Sequence, residues 1–345
     1  MKKRIFCTVL GLSLAIAMAG CGTSGSDDKK DAGSATSSET SKDSGETSKD
    51  SGSKRKVFYT NAFNTAPFCA PQDEAAMDAA KENNIDLTIV DGEGDANVQL
   101  EQINNAIAQG YDGIIYFPAD KEGSINIIKT LNDSDVPYIV VDSKVDDSVW
   151  DTIPAFVGPD NEIMGQVCGE ACRDYFDGKD GKVVMLNGAP GTDPATNRNA
   201  GFHKIVDECD NISILDEQDI EGWDTAIAMS TMQDEITRFG DKINFVFCAD
   251  DGILQGATQA IDEAGLTGKI MCVSVGANSV ACSLIDEGLC YGSVLHSASE
   301  EGSTAIEAVM AAMDGEVKPG DCKWYKLSSP FVTSDNIEEY RGFGW

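Results

Sequence analysis

From residue 56 onward, short β-rich apolar runs alternate with amphipathic stretches of helical period, and that beat restricts the chain to parallel α/β sheets. Val57-Phe-Tyr-Thr60 leads into a helix predicted over residues 72–83, and Asp86-Leu-Thr-Ile-Val90 precedes another over 98–109. Gly113-Ile-Ile-Tyr-Phe117 and Val136-Pro-Tyr-Ile-Val-Val141 continue the alternation, with helix stops such as Gln109-Gly110. After Phe156-Val-Gly-Pro-Asp160 the pattern restarts with a helix over 161–176, then Lys182-Val-Val-Met-Leu186, a helix from Ala200, and Asn244-Phe-Val-Phe-Cys248. A helix over 252–264, Lys269-Ile-Met-Cys-Val273, a helix over 279–287 and Tyr291-Gly-Ser-Val-Leu295 complete it. Two such sheets imply two lobes. In sheets of this kind ligands sit beyond the carboxyl ends of the strands, so the polar residues after each run are the candidates for a site.

The residues ahead of this pattern cannot join a core. Residues 22–54 contain no Val, Ile, Leu, Met, Phe, Tyr or Trp, and a seven-residue unit repeats there from Glu39 and from Glu46. Such a stretch has nothing to offset the entropy of folding and reads as a flexible tether. Before it, Lys2, Lys3 and Arg4 precede an apolar run from Ile5 to Ala19 that ends on Gly20 and Cys21. The run is shorter than the roughly 18 to 20 residues of a spanning helix and closes on small side chains, so residues 1–20 are expected to be a signal peptide. Ala17-Met18-Ala19-Gly20-Cys21 resembles a lipobox, which implies a lipid on Cys21 and a mature chain held at the extracytoplasmic face of a bacterial cell membrane. One acyl chain binds only marginally, so two or more are needed there.

Charge removes several function classes. The leader carries three bases and the tether seven acids against five bases, which leaves 18 Lys and Arg against 51 Asp and Glu in residues 55–345. That surface repels nucleic acid and anionic lipid, so no nucleic-acid partner is expected. Beyond Cys7 and Cys21 nine cysteines are scattered without zinc or disulfide spacing, and their number points to a weakly oxidising habitat. Cys168 and Cys172 stand one helical turn apart, but only two histidines, His203 and His296, exist to complete a metal site, and no metal or cofactor is expected. The same shortage of nucleophile and acid–base pairs argues against an enzyme. The acids of 174–180 lack the alternating oxygen ligands that calcium requires, with Phe176 and Gly178 at ligand positions.

The residues after the strands match, in order, Gly188-Ala-Pro-Gly191 with Arg198 and Gly201-Phe202, then Trp223-Asp-Thr-Ala226, Ala249-Asp-Asp-Gly with Gly256-Ala257, Val275-Gly-Ala-Asn278 and Gly292-Ser-Val-Leu-His296. In this ordered set the chain resembles the sugar-binding branch of the type 1 periplasmic-binding-protein family, most closely ribose- and glucose/galactose-binding proteins, over nearly all of residues 56–340. The resemblance implies two Rossmann-like lobes with parallel sheets joined by a three-crossover hinge. Lobe 1 is expected to hold 55–160 plus 297–323, and lobe 2 to hold 161–296 plus 324–345. It further implies a monomeric solute receptor that closes on a sugar or polyol and presents it to an ABC permease. A sensor of the same fold that signals to a receptor, or a binder of a nucleoside, remains the alternative.

Site residues carry over position by position. Phe68 and Trp223 match the family's stacking aromatics, while Cys69 replaces a second aromatic and makes that edge smaller. Asp142, Asp193, Arg198, Asp250, Asn278 and His296 are expected to contact the ligand, with Asn64 and Asn61 as weaker candidates. Each has a plainer reading, as core for the aromatics and as a cap, turn or surface ion pair for the polar groups. Ser143 stands where ribose binders carry arginine, which argues against ribose. Asp250 and Asn278 exchange the family's amide and acid, and His296 replaces a hinge amide.

Overall fold

The computed structural model describes residues 54–63 and 66–343. The expected leader, the Cys21 anchor and nearly all of the tether lie outside those residues, as does Asn64. The first sheet takes β1 (Arg55–Asn61), β2 (Ile85–Asp91), β3 (Gly113–Tyr116), β4 (Tyr138–Val141) and β5 (Ala155–Gly158). Between them lie α1 (Cys69–Glu82), α2 (Ala96–Gln109), α3 (Ser124–Asn132) and the short α4 (Asp147–Trp150). The chain then enters a second unit of α5 (Asn161–Phe176), β6 (Gly181–Asn187), α6 (Asp193–Val206), β7 (Ile212–Asp219), α7 (Thr225–Phe239), β8 (Phe245–Cys248), α8 (Asp251–Glu263), β9 (Met271–Gly276), α9 (Ser279–Asp286) and β10 (Cys290–Leu295). It returns through α10 (Ala298–Met313) and β11 (Lys323–Lys326) and ends in β12 (Phe331–Val332) and α11 (Ile337–Tyr340).

Both sheets have six strands, ordered β11-β5-β4-β3-β1-β2 and β12-β10-β9-β8-β6-β7. All pairs run parallel except β10 with β12. Strands β1 and β3 start side by side and send the chain in opposite directions, as do β6 and β8, so each lobe has a switch point where the loops part and leave a crevice. The chain passes between sheets after β5, after β10 and after β11. The third passage falls later than the sequence reading placed it. Trp324, Tyr325 and Lys326 pair with Phe156, Val157 and Gly158 of β5 and so belong to the first sheet rather than to the second lobe. That edge strand has an exposed and half-buried pattern with no apolar run, which hides it from a periodicity argument.

Two further elements lacked a clear signal. Strand β7 carries Asp216, Glu217 and Asp219, and its edge position lets the polar side chains meet water. Helix α6 starts seven residues before the expected Ala200, because the Thr192 side chain accepts from the Ala195 N–H and Pro194 occupies the first turn. Among the described residues no helix is long and apolar enough to cross a membrane.

Close helix pairs set the lobes' shape. A Cβ on Gly165 of α5 would come within 2.0 Å of the Arg198 carbonyl oxygen on α6, and one on Gly201 of α6 within 2.1 Å of the Glu162 carbonyl oxygen on α5. Gly302 of α10 meets the Gln72 carbonyl of α1 in the same way, at 2.1 Å. Backbone contact of this kind leaves no side chain to yield, so alanine must push the helices apart. G165A gains up to about 1 kcal/mol of helix propensity yet is expected to lose about 1–3 kcal/mol net through overpacking. Chemical denaturation checks it, and an unchanged midpoint would refute the close-packing argument.

Candidate functional site

Between the carboxyl ends of the two sheets lies a cleft with about 490 Å³ of space free of atoms. Each lobe supplies one wall. The residues after β1 bring Phe63, Ala66, Phe68 and Cys69, the residue after β3 is Phe117, and β4 is followed by Asp142 and Ser143. From the other lobe come Thr192, Pro194 and Arg198, together with Trp223 after β7, Asp250 after β8, Val275 of β9 and His296 after β10. The strand-end rule therefore accounts for most of the lining. Of the residues expected from sequence, Phe68, Asp142, Arg198, Trp223, Asp250 and His296 line this one space.

Trp223 is 6% exposed and sits in a tight turn, with φ of 57° at Trp223 and 62° at Gly222. The turn lays the indole across Gly188, where a Cβ would fall 1.9 Å from the ring. This explains why Gly188 opens the Gly-Ala-Pro-Gly segment: any side chain there would expel the aromatic wall. The Arg198 guanidinium lies over the same indole at 5.8 Å from the ring centre.

Arg198 is buried and donates from Nε to Asn161 Oδ1 (2.9 Å), from Nη1 to the Ala249 carbonyl (2.9 Å) and from Nη2 to His296 Nδ1 (3.2 Å). Arginine has donors only, so Nδ1 must offer its lone pair and the neutral ring carries its hydrogen on Nε2. That nitrogen is 2.6 Å from Glu301 Oε2 and 3.7 Å from Asp142 Oδ2. Burial, then the Arg198 charge, holds the imidazole well below its usual range, which keeps it neutral. His296 was expected to stand in for a hinge amide as a hydrogen-bonding contact. Both of its nitrogens are instead occupied, and it lines the cleft with its ring, which packs tilted at 32° against Phe68 with centroids 4.3 Å apart.

Asp142, His296 and Glu301 place three ligating atoms within 4.8 Å of one another, a spacing a cation could use. The hydrogen on Nε2 argues against that use, because the lone pair a metal needs at this nitrogen is absent while Arg198 holds Nδ1. The nine cysteines among the described residues are all free, and seven are buried. Cys168 on α5 donates to the Ser274 carbonyl and packs as a small hydrophobe.

Two expected contacts serve the scaffold instead. The Asp193 carboxylate accepts from Asn161 (2.9 Å) and Asn197 (2.6 Å) at the head of α6 and is absent from the cleft lining. Asn278 caps α9 by accepting from the Ala281 N–H (2.9 Å), and its own N–H donates to Asp251 Oδ2 (2.7 Å). Asn61 is likewise absent from the lining and donates to Asp73 (2.7 Å). Asp251, which the sequence reading passed over for its neighbour Asp250, gathers the loops of the second lobe: it also accepts from the Ser274 and Ser293 hydroxyls. Phe63, Phe117, Thr192 and Pro194 were missed too; Phe117, directly after β3, follows from the strand-end rule.

The lobes touch. The Lys121 N–H donates to the Gly191 carbonyl at 3.0 Å and the Asp193 N–H to the Ser143 hydroxyl at 3.3 Å, both between lobes, so the described state is closed. The closed state holds buried acids, among them Asp142, Asp250 and Asp251. Burial pushes Asp142 up to about 7, opposed by Arg198 and assisted by Asp193; it pushes Asp250 up to about 7 and Asp251 up to about 6. The folded chain thus retains protons that the unfolded chain releases near 4, and stability falls as pH rises from about 4 through 7. The melting temperature should drop between pH 5 and 8, and D142N or D250N should flatten the slope. A slope equal to that of the unsubstituted protein in both variants would contradict it.

The chain matches the periplasmic binding protein domain over residues 57–317. It is 26% identical to a xylitol-binding protein of Mycolicibacterium smegmatis, covering 83% of this chain and 79% of that one. It is 25% identical to a ribose import binding protein of Bacillus subtilis, covering 72% and 79%. Among solved structures, a galactofuranose binding protein superposes with a TM-score of 0.78 at 24% identity, covering 83% of this chain and 96% of that one. A Bacillus halodurans ABC transporter solute binding protein with bound myo-inositol gives 0.77 at 23%, covering 84% and 98%. With the family domain spanning most of the chain and the two-sheet fold shared with these structures, the protein belongs to the periplasmic binding protein family.

Proposed function

We propose that this chain is the solute-binding component of an ABC importer and captures a sugar or polyol between its closing lobes. The observation that carries the reading is one cleft with aromatic walls and a short polar girdle. Phe68 and Trp223 come from opposite lobes, and Asp142, Arg198 and Asp250 share the space between them. A sugar has apolar ring faces and a hydroxyl rim, and needs both kinds of surface. The carboxylates accept hydroxyl hydrogens, and the two N–H groups of Arg198 left over from its protein bonds donate to ring or hydroxyl oxygens. Relatives named for xylitol and ribose, and a fold neighbour holding myo-inositol, support a neutral polyhydroxylated solute.

Work is done by closure alone. A solute that touches both walls gains contacts only in the closed state, so it shifts the population toward that state. The closed form then docks on a membrane permease, and a lipid on Cys21 would keep it there; that residue lies outside the described part. No covalent step is required of any residue in the cleft.

A thermal-shift screen of pentoses, hexoses, pentitols and inositols tests the class. At least one member should raise the melting temperature, and a shift by nucleosides or amino acids alone would refute it. W223A should weaken binding of the active solute by about 2 kcal/mol or more, roughly 30-fold, while leaving a cooperative melt. Titration calorimetry reads the loss, and affinity within threefold of the unsubstituted protein would remove Trp223 from the site.

A further inference from the structure

Glu301 takes no part in the cleft lining, yet it is fully buried and its Oε2 is the group nearest to His296 Nε2. It comes from the first turn of α10, on the first lobe, whereas Arg198 comes from α6 on the second; His296 lies in the passage between them. The three form a chain whose two ends together fix one tautomer of the ring between them. Arg198 can only donate, so Nδ1 accepts; Nε2 then carries the hydrogen, and Glu301 accepts it.

We propose that Glu301 is a positioning residue of the solute site: as a neutral carboxyl it takes the His296 Nε2–H, leaves the Nδ1 lone pair to Arg198, and so aims the guanidinium at the solute. The neutral form follows from its surroundings. Glu301 Oε1 has no hydrogen-bond partner among the described residues, and an ionised oxygen buried without a donor is costly. The titratable groups facing the trio are Asp142 after β4, Asp193 on α6, Asp250 ahead of α8, Cys168 on α5, Tyr59 on β1 and Glu300 on α10, so Arg198 is the one cation among them all. Burial first, and then the Asp142 charge, push the Glu301 carboxyl well above its usual range. Arg198 makes no hydrogen bond to Glu301 and acts on it through space, and its charge and the Asp142 backbone N–H oppose the rise without cancelling it. A neutral acceptor differs from an ionised one in its substitutes, since glutamine presents the same carbonyl oxygen and no charge.

The chain contains two histidines, His203 and His296, so long-range proton–nitrogen NMR on histidine-labelled protein resolves both, with H203Q assigning them. The His296 pattern should be the neutral Nε2–H tautomer from pH 5 to 8, unchanged in E301Q and lost or mixed in E301L. The solute arm rests on the sugar or polyol reading and uses xylitol, D-ribose and myo-inositol as probes. E301Q should keep the affinity for the probe that binds, at every pH in that range, and E301L should lose about tenfold. An Nδ1–H tautomer, titration near 6.5, or E301Q failing as E301L does would overturn the proposal. If E301L does not fold, E301Q alone decides. If no probe binds, the solute reading fails by itself, and the tautomer still decides the role of Glu301.

Discussion

A guanidinium taken out of water organises this protein. Arg198 loses its hydration on entering the cleft, a cost of several kcal/mol unless other groups replace the water. The replacements come from both lobes: Asn161 at the head of α5, the Ala249 carbonyl just after β8, His296 after β10, and the nearby acids Asp142 and Asp250. Each lies where it does for a backbone reason. The glycines that let α5 and α6 meet backbone to backbone bring Asn161 within reach of the arginine, and the left-handed turn at Gly222 and Trp223 slides an indole beneath it. A cation held so firmly on one side has little freedom left, and it meets a solute with its donors already oriented.

The acids show how charge and motion are joined. In the closed state they crowd around a single cation, and burial raises their affinity for protons. Opening the lobes would return Asp142 and Asp250 to water, and a solute that donates hydroxyls to them would replace that water without opening. Solute and solvent thus compete for the same carboxylate lone pairs. The closed state is stable in proportion to how well the solute substitutes for the lost hydration.

Much of the fold was legible because its signals are local. The alternation of apolar runs and amphipathic stretches depends on burial against the same element's own sheet, and it located β1 to β6 and β8 to β10. What failed was three of the four sheet edges: β7 turns polar after Leu215, β11 offers no apolar period and β12 is two residues long, whereas the edge strand β2 shows its Leu87, Ile89 and Val90. The cleft lining was legible where a residue follows a strand with an apolar run, as with Asp142, Asp250 and His296, while Trp223, beyond the unsignalled β7, was found through the family resemblance. The site was illegible where a role depends on the partner. Asp193 and Asn278 look like solute contacts in one dimension but are consumed by Asn161, Asn197 and the cap of α9. His296 lines the cleft, but only the donors around it reveal which nitrogen holds its hydrogen. Glu301 gave no signal at all, being one glutamate in a helix rich in them, and its burial follows from the packing of α10 on α1.

Strand β11 has a consequence for how the molecule comes into being. It completes the first sheet by pairing with β5, about 170 residues earlier in the chain, and α10, which covers that sheet, is also made late. A chain emerging from its N-terminal end can build β1 to β5 but must leave the β5 edge unpaired and one face bare until the second lobe has been traversed. Contacts of such long separation form slowly. The first sheet therefore cannot be completed before the second lobe has been made, and its β5 edge stays open until β11 arrives. If residues 1–20 act as the expected export signal, that delay would help keep the chain unfolded until it has crossed the membrane.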